Sequence, residues 1–538
     1  MNKQIRYLLS NKLYLVCVCL ALFVGYGFLF SYVSISIDDT STARYVVEGT
    51  ILQQGRWGLW LLFHLIHQCE FNPFLHKACG MAVFFLACVL IAGLLRKCSD
   101  DTLSIQSLTA FTCIVCTYSL FNEILFYENS LWSNGSIYLF AALAVWFLDL
   151  GQRWTGIAWA FAFLTLGISV TEVAAGVFII LVLASMILMN HTGKYCVRFL
   201  ECIKLGLISC SVLILSIIAE RWLASLFCWL AGVGPSEPRT VRWLELGFTA
   251  GIRNLVSMLF FNYGLRAVFY FPIAEYVVAM GINICIIIWL CFRRKGVKAF
   301  LWTMFAVGSV AFSIAQGEAT PNRVICLIFS IYIAFIVGWF YELISKRFTK
   351  QVIKIAVSVI AGMIVMWQVS DLNTWIFVNY MRTQEELGVV DSIGRTLEST
   401  FDIQEKPVVF VRKYQLSENI LQYSHVTNGS PEDVLAKKLL DMLPFETEYQ
   451  EYFVGDRRYR FNETGVNSVI AWSVDAFNSD EEVNTELINL FRYRGYVLQQ
   501  GTEEMYRSGL KISGDMPAWP KEGSIVDMGE YILVNFGH

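Results

Sequence analysis

Two adjacent carboxylates, Asp38 and Asp39, directly follow the first long hydrophobic segment of the chain. Neighbouring acids repel each other, and desolvation near a membrane surface makes it more costly to keep both ionised. A sequence tolerates such a pair more readily when it accepts a proton, holds a cation or binds sugar hydroxyls. The alternative is an ordinary solvated loop after a helix. We predict the chemical role, with Asp38 or Asp39 acting as a general base.

Arg44 and Gly55-Arg56-Trp57 come shortly after the acidic pair. The planar guanidinium fork of Arg matches a phosphate group, which suggests a phosphate-binding role for Arg56. Alternatively, Arg56 extends its charge to the lipid headgroups, as long basic side chains do near a bilayer. Tryptophan serves in interfacial belts and also stacks on sugar rings. We expect Arg44, Arg56 and Trp57 to bind the substrate.

Further polar residues interrupt the hydrophobic part of the chain. Glu128 and Asn129 precede an apolar run, and they either bind a sugar, with Glu128 as a possible base, or cap the following helix. Glu172 separates two short apolar runs, where an acid is costly unless it is paired or useful. It could equally favour the dipole of the next helix. Glu318 and Arg323 either pair with each other or bind substrate, Arg323 at a lipid-linked phosphate.

A divalent cation, Mg²⁺ or Mn²⁺, could also bind to Asp38 and Asp39, because proteins commonly hold Mg²⁺ beside phosphates with one or two carboxylates. We do not include this cation in the predicted mechanism. The cysteines suggest no metal site. All 15 lie between Cys17 and Cys326, mostly in apolar stretches and without the spacing of zinc ligands.

Composition identifies the class of protein that must position these residues. The chain has 538 residues, of which 56% are hydrophobic and 16% are charged. Soluble globular chains carry about 25% charged residues, so the composition indicates a membrane protein. No basic tract with interleaved aromatic residues is present, and we therefore expect no nucleic-acid partner.

Apolar runs of suitable length predict about eleven transmembrane helices in residues 1–370. The predicted spans are 13–35, 74–95, 103–121, 134–150, 154–170, 172–189, 204–220, 272–292, 297–315, 323–342 and 352–370. Lys and Arg cluster before the first span and in every second loop, the pattern of cytoplasmic loops. The N-terminus is then cytoplasmic, and the candidate site residues share the opposite, outer face.

Residues 371–538 are polar and predict one extracytoplasmic α/β domain. Periodicity and composition predict helices over 384–400 and 481–493, and strands over 407–411, 468–472 and 531–536. No nucleotide-binding glycine loop opens a helix here. We expect an accessory role, such as covering the membrane site or holding a polymeric acceptor.

The sequence resembles the polytopic O-antigen glucosyltransferases of the Gtr type. The similarity rests on a first span followed by Asp38-Asp39, then Gly55-Arg56-Trp57, the 121–130 island with Glu128-Asn129, and the outward loop that ends in Arg323. It covers about residues 10–370. The chain departs from the pattern in its long C-terminal domain and in Gly-Arg-Trp, where relatives often have Gly-Arg-Pro.

The resemblance implies a GT-C-like fold and transfer of a hexose, usually glucose, from a polyprenyl-phosphate carrier. The acceptor would be a polysaccharide or glycolipid outside the cytoplasmic membrane. In the predicted mechanism, Asp38 or Asp39 deprotonates the acceptor, and Arg56 and Arg323 neutralise the departing lipid phosphate.

The sequence leaves two alternative functions open. One is a transporter or flippase of lipid-linked sugars, against which the acids cluster in outer loops rather than at mid-span. The other is a non-catalytic scaffold for envelope assembly.

Overall fold

The fold is described from a computed structural model of the 538-residue chain. The structure describes residues 2–36, 48–67, 72–123, 125, 130–148, 154–192, 199–234, 248–249, 252, 271–316, 322–348, 350–417, 420, 468–475 and 478–537. Side chains are described for most of these residues.

The part of the chain before residue 351 is built from helices. Two short 3-10 helices, Gly27–Ser31 and Ser119–Glu123, lie among the α-helices. The α-helices are α1 (Asn2–Ser10), α2 (Lys12–Tyr26), α3 (Glu48–Gln53), α4 (Trp57–His67), α5 (Pro73–Cys98), α6 (Ile105–Thr117), α7 (Ser130–Phe147), α8 (Trp154–Val170), α9 (Val173–Thr192), α10 (Phe199–Ala231), α11 (Phe271–Phe292), α12 (Gly296–Ser309), α13 (Ala311–Gln316) and α14 (Asn322–Arg347).

Each predicted span overlaps a helix among the described residues, although the span 13–35 continues past the last helical residue, Ser31. Among the described residues, seven helices are long and apolar enough to cross a membrane, and three shorter apolar helices accompany them. The predicted span 297–315 is divided at Val310 into α12 and α13. Helix α10 continues 11 residues past its predicted end at residue 220 and has 33 residues. At about 1.5 Å per residue it is about 50 Å long, more than the hydrocarbon layer requires.

Basic loops gather at one end of the helical bundle, which we call the proximal end. Lys346 donates a hydrogen bond to the carbonyl of Thr102 (3.1 Å), joining α14 to the loop between α5 and α6. Lys3 of α1 pairs with Asp101 in the same loop at 2.6 Å. That hydrogen bond lowers the pKa of the Asp101 carboxyl. The opposite, distal end contains the ends of α2, α6 and α8 and the beginnings of α5, α7 and α9.

Small residues allow close helix packing at the distal end. A Cβ atom on Gly80 of α5 would lie 2.6 Å from the backbone nitrogen of Trp132 in α7. One on Gly135 of α7 would lie 2.9 Å from the backbone nitrogen of Phe84. These contacts leave no space for a side chain, and the backbones of α5 and α7 therefore touch, as at small-residue interfaces between membrane helices.

Helix α15 (Gln351–Thr400) connects the bundle to the C-terminal part as one continuous 50-residue helix. Its last turns contribute Val390, Ile393 and Leu397 to a second hydrophobic core. The predicted domain boundary after residue 370 lies inside this helix. The predicted helix 384–400 is confirmed as its final segment.

A three-stranded sheet lies in the C-terminal part, in the order β1-β3-β2. Strands β1 (Val408–Val411) and β3 (Ile532–Asn535) are parallel, and β2 (Ile525–Asp527) runs antiparallel to β3. Val408, Phe410, Ile532 and Val534 belong to the same core as the end of α15. The short, apolar strands β1 and β3 are buried on both faces, as their sequences indicate.

The described residues of the C-terminal part also form three helices: α16 (Val469–Asp475), α17 (Thr485–Tyr493) and α18 (Glu503–Ile512). The prediction of a strand over 468–472 is wrong, because these residues begin α16. The Ser468 side chain accepts a hydrogen bond from the Ala471 amide (3.0 Å), an N-cap that commits the short apolar run to a helix. The helix predicted over 481–493 is confirmed only from Thr485 onward. Helix α18 and strand β2 were not predicted.

Candidate functional site

Most of the predicted site residues lie outside the described residues. These are Asp38, Asp39, Arg44, Glu128, Asn129 and Glu318, and Arg323 lies in α14 without a described side chain. Arg56, Trp57 and Glu172 are described. All three lie at the distal end of the bundle, where the sequence predicted the site.

The segment that leads into the acidic pair is held from several sides. The buried ammonium of Lys77 in α5 donates to the carbonyl oxygens of Leu29 (3.0 Å) and Tyr32 (2.7 Å). The Tyr32 hydroxyl donates to the carbonyl of Ile376 in α15 (2.9 Å). The chain is therefore fixed between α5 and α15 a few residues before Asp38.

A tight turn presents Arg56. Gly55 has φ +79°, a conformation that glycine adopts without steric cost. Its amide donates to the carbonyl of Leu52 (2.8 Å), and the amide of Arg56 donates to that of Ile51 (3.0 Å). These two bonds form the Schellman motif that ends α3. The Arg56 carbonyl then accepts from the amide of Trp60 (3.0 Å), which starts α4, and the Arg56 side chain is exposed.

Trp57 attaches this turn to α10. Its ring is buried and stacks on Phe227 with centroids 5.0 Å apart and planes 6° from parallel. Leu52, Ala224 and Cys228 complete the small cluster. In this arrangement one face of Trp57 is covered by protein, and the ring fixes the position of the neighbouring Arg56.

Two charged residues of α10, Glu220 and Arg221, lie beside the turn. A Cβ atom at Gly55 would lie 3.8 Å from both Arg221 Nη1 and Glu220 Oε1. Arg221 pairs with Glu172 at the start of α9, and its Nε lies 3.7 Å from Glu220 Oε2. Glu220 is buried, whereas Arg221 and Glu172 are about half exposed. We call Arg56, Glu172, Glu220 and Arg221 the distal charge cluster.

The distal charge cluster can bind a polar group that carries an anion. Arg221 of α10 supplies a guanidinium group, and the exposed Arg56 follows the turn that lies against Glu220 and Arg221. Arginine is well suited to phosphate. The carboxylates accept hydrogen bonds and suit hydroxyl groups. Helices α4 and α10 beside it are apolar, which suits an adjacent hydrocarbon chain.

A second polar group joins three helices at the same end. The Thr117 hydroxyl of α6 donates to Gln368 Oε1 of α15 (2.9 Å), and Gln368 Nε2 donates to Glu275 Oε2 of α11 (2.8 Å). The Tyr118 hydroxyl donates to the carbonyl of Pro272 (2.9 Å). These bonds fix the relative positions of α6, α11 and α15.

A comparison with known protein families identifies the chain. Residues 27–316 match the family Glucosyl transferase GtrII, more than half of the 538 residues. The chain belongs to the GtrII family. It is therefore a glycosyltransferase. Asp38, Asp39, Glu128 and the distal charge cluster lie inside the matched range, whereas Glu318 and Arg323 come just after its end.

Two further comparisons were made. No curated protein matches the chain. Among solved structures, the chain is similar to the crystal structure of ArnT from Cupriavidus metallidurans bound to undecaprenyl phosphate, with 11% sequence identity and a TM-score of 0.37. The similarity covers 80% of this chain and 88% of ArnT.

The prediction from sequence omitted Glu220 and Arg221, although they belong to the GtrII range. The signal was present as two adjacent charges at the end of an apolar run. The predicted span ended at residue 220, so the continuation of α10 into these charges was missed. Glu172 was predicted, but its partner Arg221 is 49 residues away in sequence.

No group of three or more His, Cys, Asp or Glu side chains that could hold a metal ion occurs among the described residues of this GtrII protein. The acidic pair Asp38-Asp39 lies outside them. A divalent cation at that pair stays a prediction.

Arg221→Gln is expected to destabilise the protein by about 1.5–3 kcal/mol, because the buried Glu220 carboxylate then loses its charged neighbour. Glu172→Gln removes a pair whose partners are both about half exposed, and should cost less than about 1 kcal/mol. The double variant Glu220→Gln/Arg221→Gln should recover part of the loss. Denaturant unfolding of the detergent-solubilised protein measures all three. Equal losses for Arg221→Gln and Glu172→Gln would contradict the assignment.

Gly58→Ala is expected to displace α4 from α8. The added Cβ would lie 2.0 Å from Ser169 Oγ and 3.1 Å from the Ser169 carbonyl carbon. Such overpacking costs about 1–3 kcal/mol. Thermal unfolding should show a clear loss, partly restored by adding Ser169→Ala. The matched control is Gly281→Ala in α11, where a Cβ meets nothing within 4 Å. If Gly58→Ala were as stable as the control, the close contact of α4 and α8 would be refuted.

Proposed function

We propose that this GtrII-family enzyme transfers a hexose, by preference glucose, from a polyprenyl-phosphate carrier to a polysaccharide or glycolipid of the cell surface. The observation that carries the proposal is the distal charge cluster. In it Arg221 contacts the carboxylates of Glu172 and Glu220, next to the turn that precedes Arg56 and beside apolar helices. A lipid-linked sugar phosphate has the matching parts: an anionic phosphate, sugar hydroxyls and a prenyl chain.

In the proposed reaction, Asp38 or Asp39 takes the proton from an acceptor hydroxyl, and the resulting oxygen nucleophile attacks the anomeric carbon. The bond from that carbon to the phosphate oxygen breaks through an oxocarbenium-like state. The polyprenyl phosphate leaves with the bonding electron pair. Positive charge from Arg56, Arg221 and, by proposal, Arg323 stabilises the charge that develops on the leaving phosphate.

Orientation is part of the proposal. The proximal end, with its basic loops, would face the cytoplasm, and the distal charge cluster and the C-terminal domain would face outward. The multi-pass arrangement of about eleven helices and a GT-C-like fold belong to the same proposal. The sequence lacks a nucleotide-binding glycine loop in the C-terminal part, which agrees with a lipid-linked rather than nucleotide-linked donor.

The test is a transfer assay with the full-length protein in proteoliposomes, polyprenyl-phosphate [¹⁴C]glucose and an extract of cell-envelope glycan. Label should move to the glycan only when the carrier is present, and UDP-[¹⁴C]glucose should give no transfer. Labelled carrier that crosses the bilayer without being consumed would indicate the flippase function and contradict the proposal.

A further inference from the structure

The segment just before the acidic pair is part of the hydrophobic core of the C-terminal domain. Ile35 is 3% exposed and packs in the same core as Val390, Phe410 and Val534. These core partners come from the end of α15, from β1 and from β3. A residue three positions before Asp38 therefore belongs to a domain whose other members lie more than 350 positions further along the chain.

Polar contacts hold this segment at the Ser34 side chain and at the Ile35 backbone. Asn379 Nδ2 of α15 donates to Ser34 Oγ at 2.6 Å. One turn further along the helix, Arg382 Nη2 donates to the carbonyl of Ile35 at 2.7 Å. Ser34, Asn379 and Arg382 are all buried. Because α15 rises about 5.4 Å per turn, two successive turns hold two successive residues of the segment.

Arg382 also connects this segment to the C-terminal domain. Its Nη1 lies 3.3 Å from Glu386 Oε2, and both side chains are at most 4% exposed. Glu386 Oε1 accepts from the Ser468 hydroxyl (2.8 Å) and from the amide of Ile470 (3.1 Å). A continuous chain of bonds thus runs from the start of α16 through Glu386 and Arg382 to the carbonyl of Ile35.

A buried ion pair is a poor source of stability, because desolvation of both charges offsets their attraction. A buried pair of this kind is better explained by a role in specifying one arrangement of the chain. Arg382 suits that role, since its Nη2 donates to the carbonyl of Ile35 and to the Thr383 hydroxyl while its Nη1 contacts Glu386. Lysine, with a single compact ammonium, cannot reproduce this fork.

We propose that the C-terminal domain positions Asp38 and Asp39 for catalysis, with Asn379, Arg382 and Glu386 as positioning residues. This inference rests on the proposed function, in which the acidic pair supplies the base. Two residues of chain span at most about 7 Å, so the fixed end of the segment at Ser36 constrains where the pair can lie. A misplacement of about 1 Å can cost about 100-fold in rate.

The test uses the full-length protein with Asn379→Ala, Arg382→Lys, and the pair Arg382→Gln/Glu386→Gln, which removes both buried charges together. The matched control is Arg494→Gln. Arg494 also pairs with a carboxylate of α15, Asp391, but this pair is partly exposed and lies nine residues further along the helix than Arg382. Two quantities are measured: kcat and KM for polyprenyl-phosphate glucose, and hydrogen–deuterium exchange of peptides that cover residues 32–40.

We expect faster exchange in these peptides and a kcat lowered by about 10–100-fold in the three test variants, with donor KM unchanged. Arg494→Gln should change neither quantity. A variant with the wild-type melting temperature, faster exchange and a lower kcat shows that the substitution misplaces the segment without unfolding the protein.

Unchanged exchange in all three variants, or faster exchange with unchanged kcat, would overturn the inference. A wild-type protein without transfer activity would instead refute the proposed function, and the exchange data would still decide whether the C-terminal domain holds the segment.

Discussion

One of the two variants Asp38→Asn and Asp39→Asn is expected to lower the rate of sugar transfer by about 10²–10⁴-fold, the contribution of a positioned general base. The other variant should lower the rate less. An amide cannot accept the acceptor proton at neutral pH, although it has nearly the same size as the carboxylate. The larger loss identifies the base. Donor KM should change little in that variant, because proton removal occurs only as the transition state forms.

The matched control is Asp515→Asn, an exposed acid of the C-terminal domain. Its transfer rate should equal that of the wild type at equal amounts of membrane-inserted protein. If both Asp38→Asn and Asp39→Asn retained full turnover, the assignment of the base to this pair would be refuted, although the chain would remain a GtrII-family glycosyltransferase.

Arg56→Gln is expected to lower kcat/KM by about 10²–10³-fold, comparable to the loss of one preorganised donor in other enzymes that stabilise developing charge. The Schellman turn at Gly55 and the stacking of Trp57 on Phe227 fix Arg56 at the edge of the distal charge cluster. Arg56→Lys should recover only part of the rate, because an ammonium lacks the planar fork that matches a phosphate.

Arg347→Gln is the control for this prediction. Arg347 is exposed at the proximal end, in the last turn of α14. It should leave transfer unchanged although it removes the same charge from a membrane surface. Equal effects of the two substitutions would show that Arg56 acts only through general surface charge at the bilayer.

The sequence was most informative about the membrane helices. Runs such as 74–95 and 323–342 must satisfy their backbone groups internally and match the hydrocarbon thickness, so length and composition suffice to place α5 and α14. The same argument failed at residue 220, because a helix does not have to end where its apolar run ends. The charges of Glu220 and Arg221 are accommodated within α10.

Contacts between distant residues were not predictable from a single sequence. Arg221 meets Glu172, Gln368 meets Glu275, and Arg382 meets Ile35 only because of helix packing. Periodicity reports on neighbours along the chain, whereas these pairs depend on tertiary arrangement. The wrong strand over 468–472 has a similar cause, since a short apolar run fits a buried strand or a buried helix equally well.

The most direct test of the account is photo-crosslinking with a polyprenyl-phosphate glucose analogue that carries a diazirine next to the phosphate. Full-length protein is irradiated with the analogue in proteoliposomes, and the modified peptides are identified by mass spectrometry. Peptides that contain Arg56 or Arg221 should be labelled, and unlabelled polyprenyl-phosphate glucose should suppress this labelling. Labelling confined to the proximal loops 99–104 and 293–295, or labelling that the natural lipid does not suppress, would contradict a donor site at the distal charge cluster.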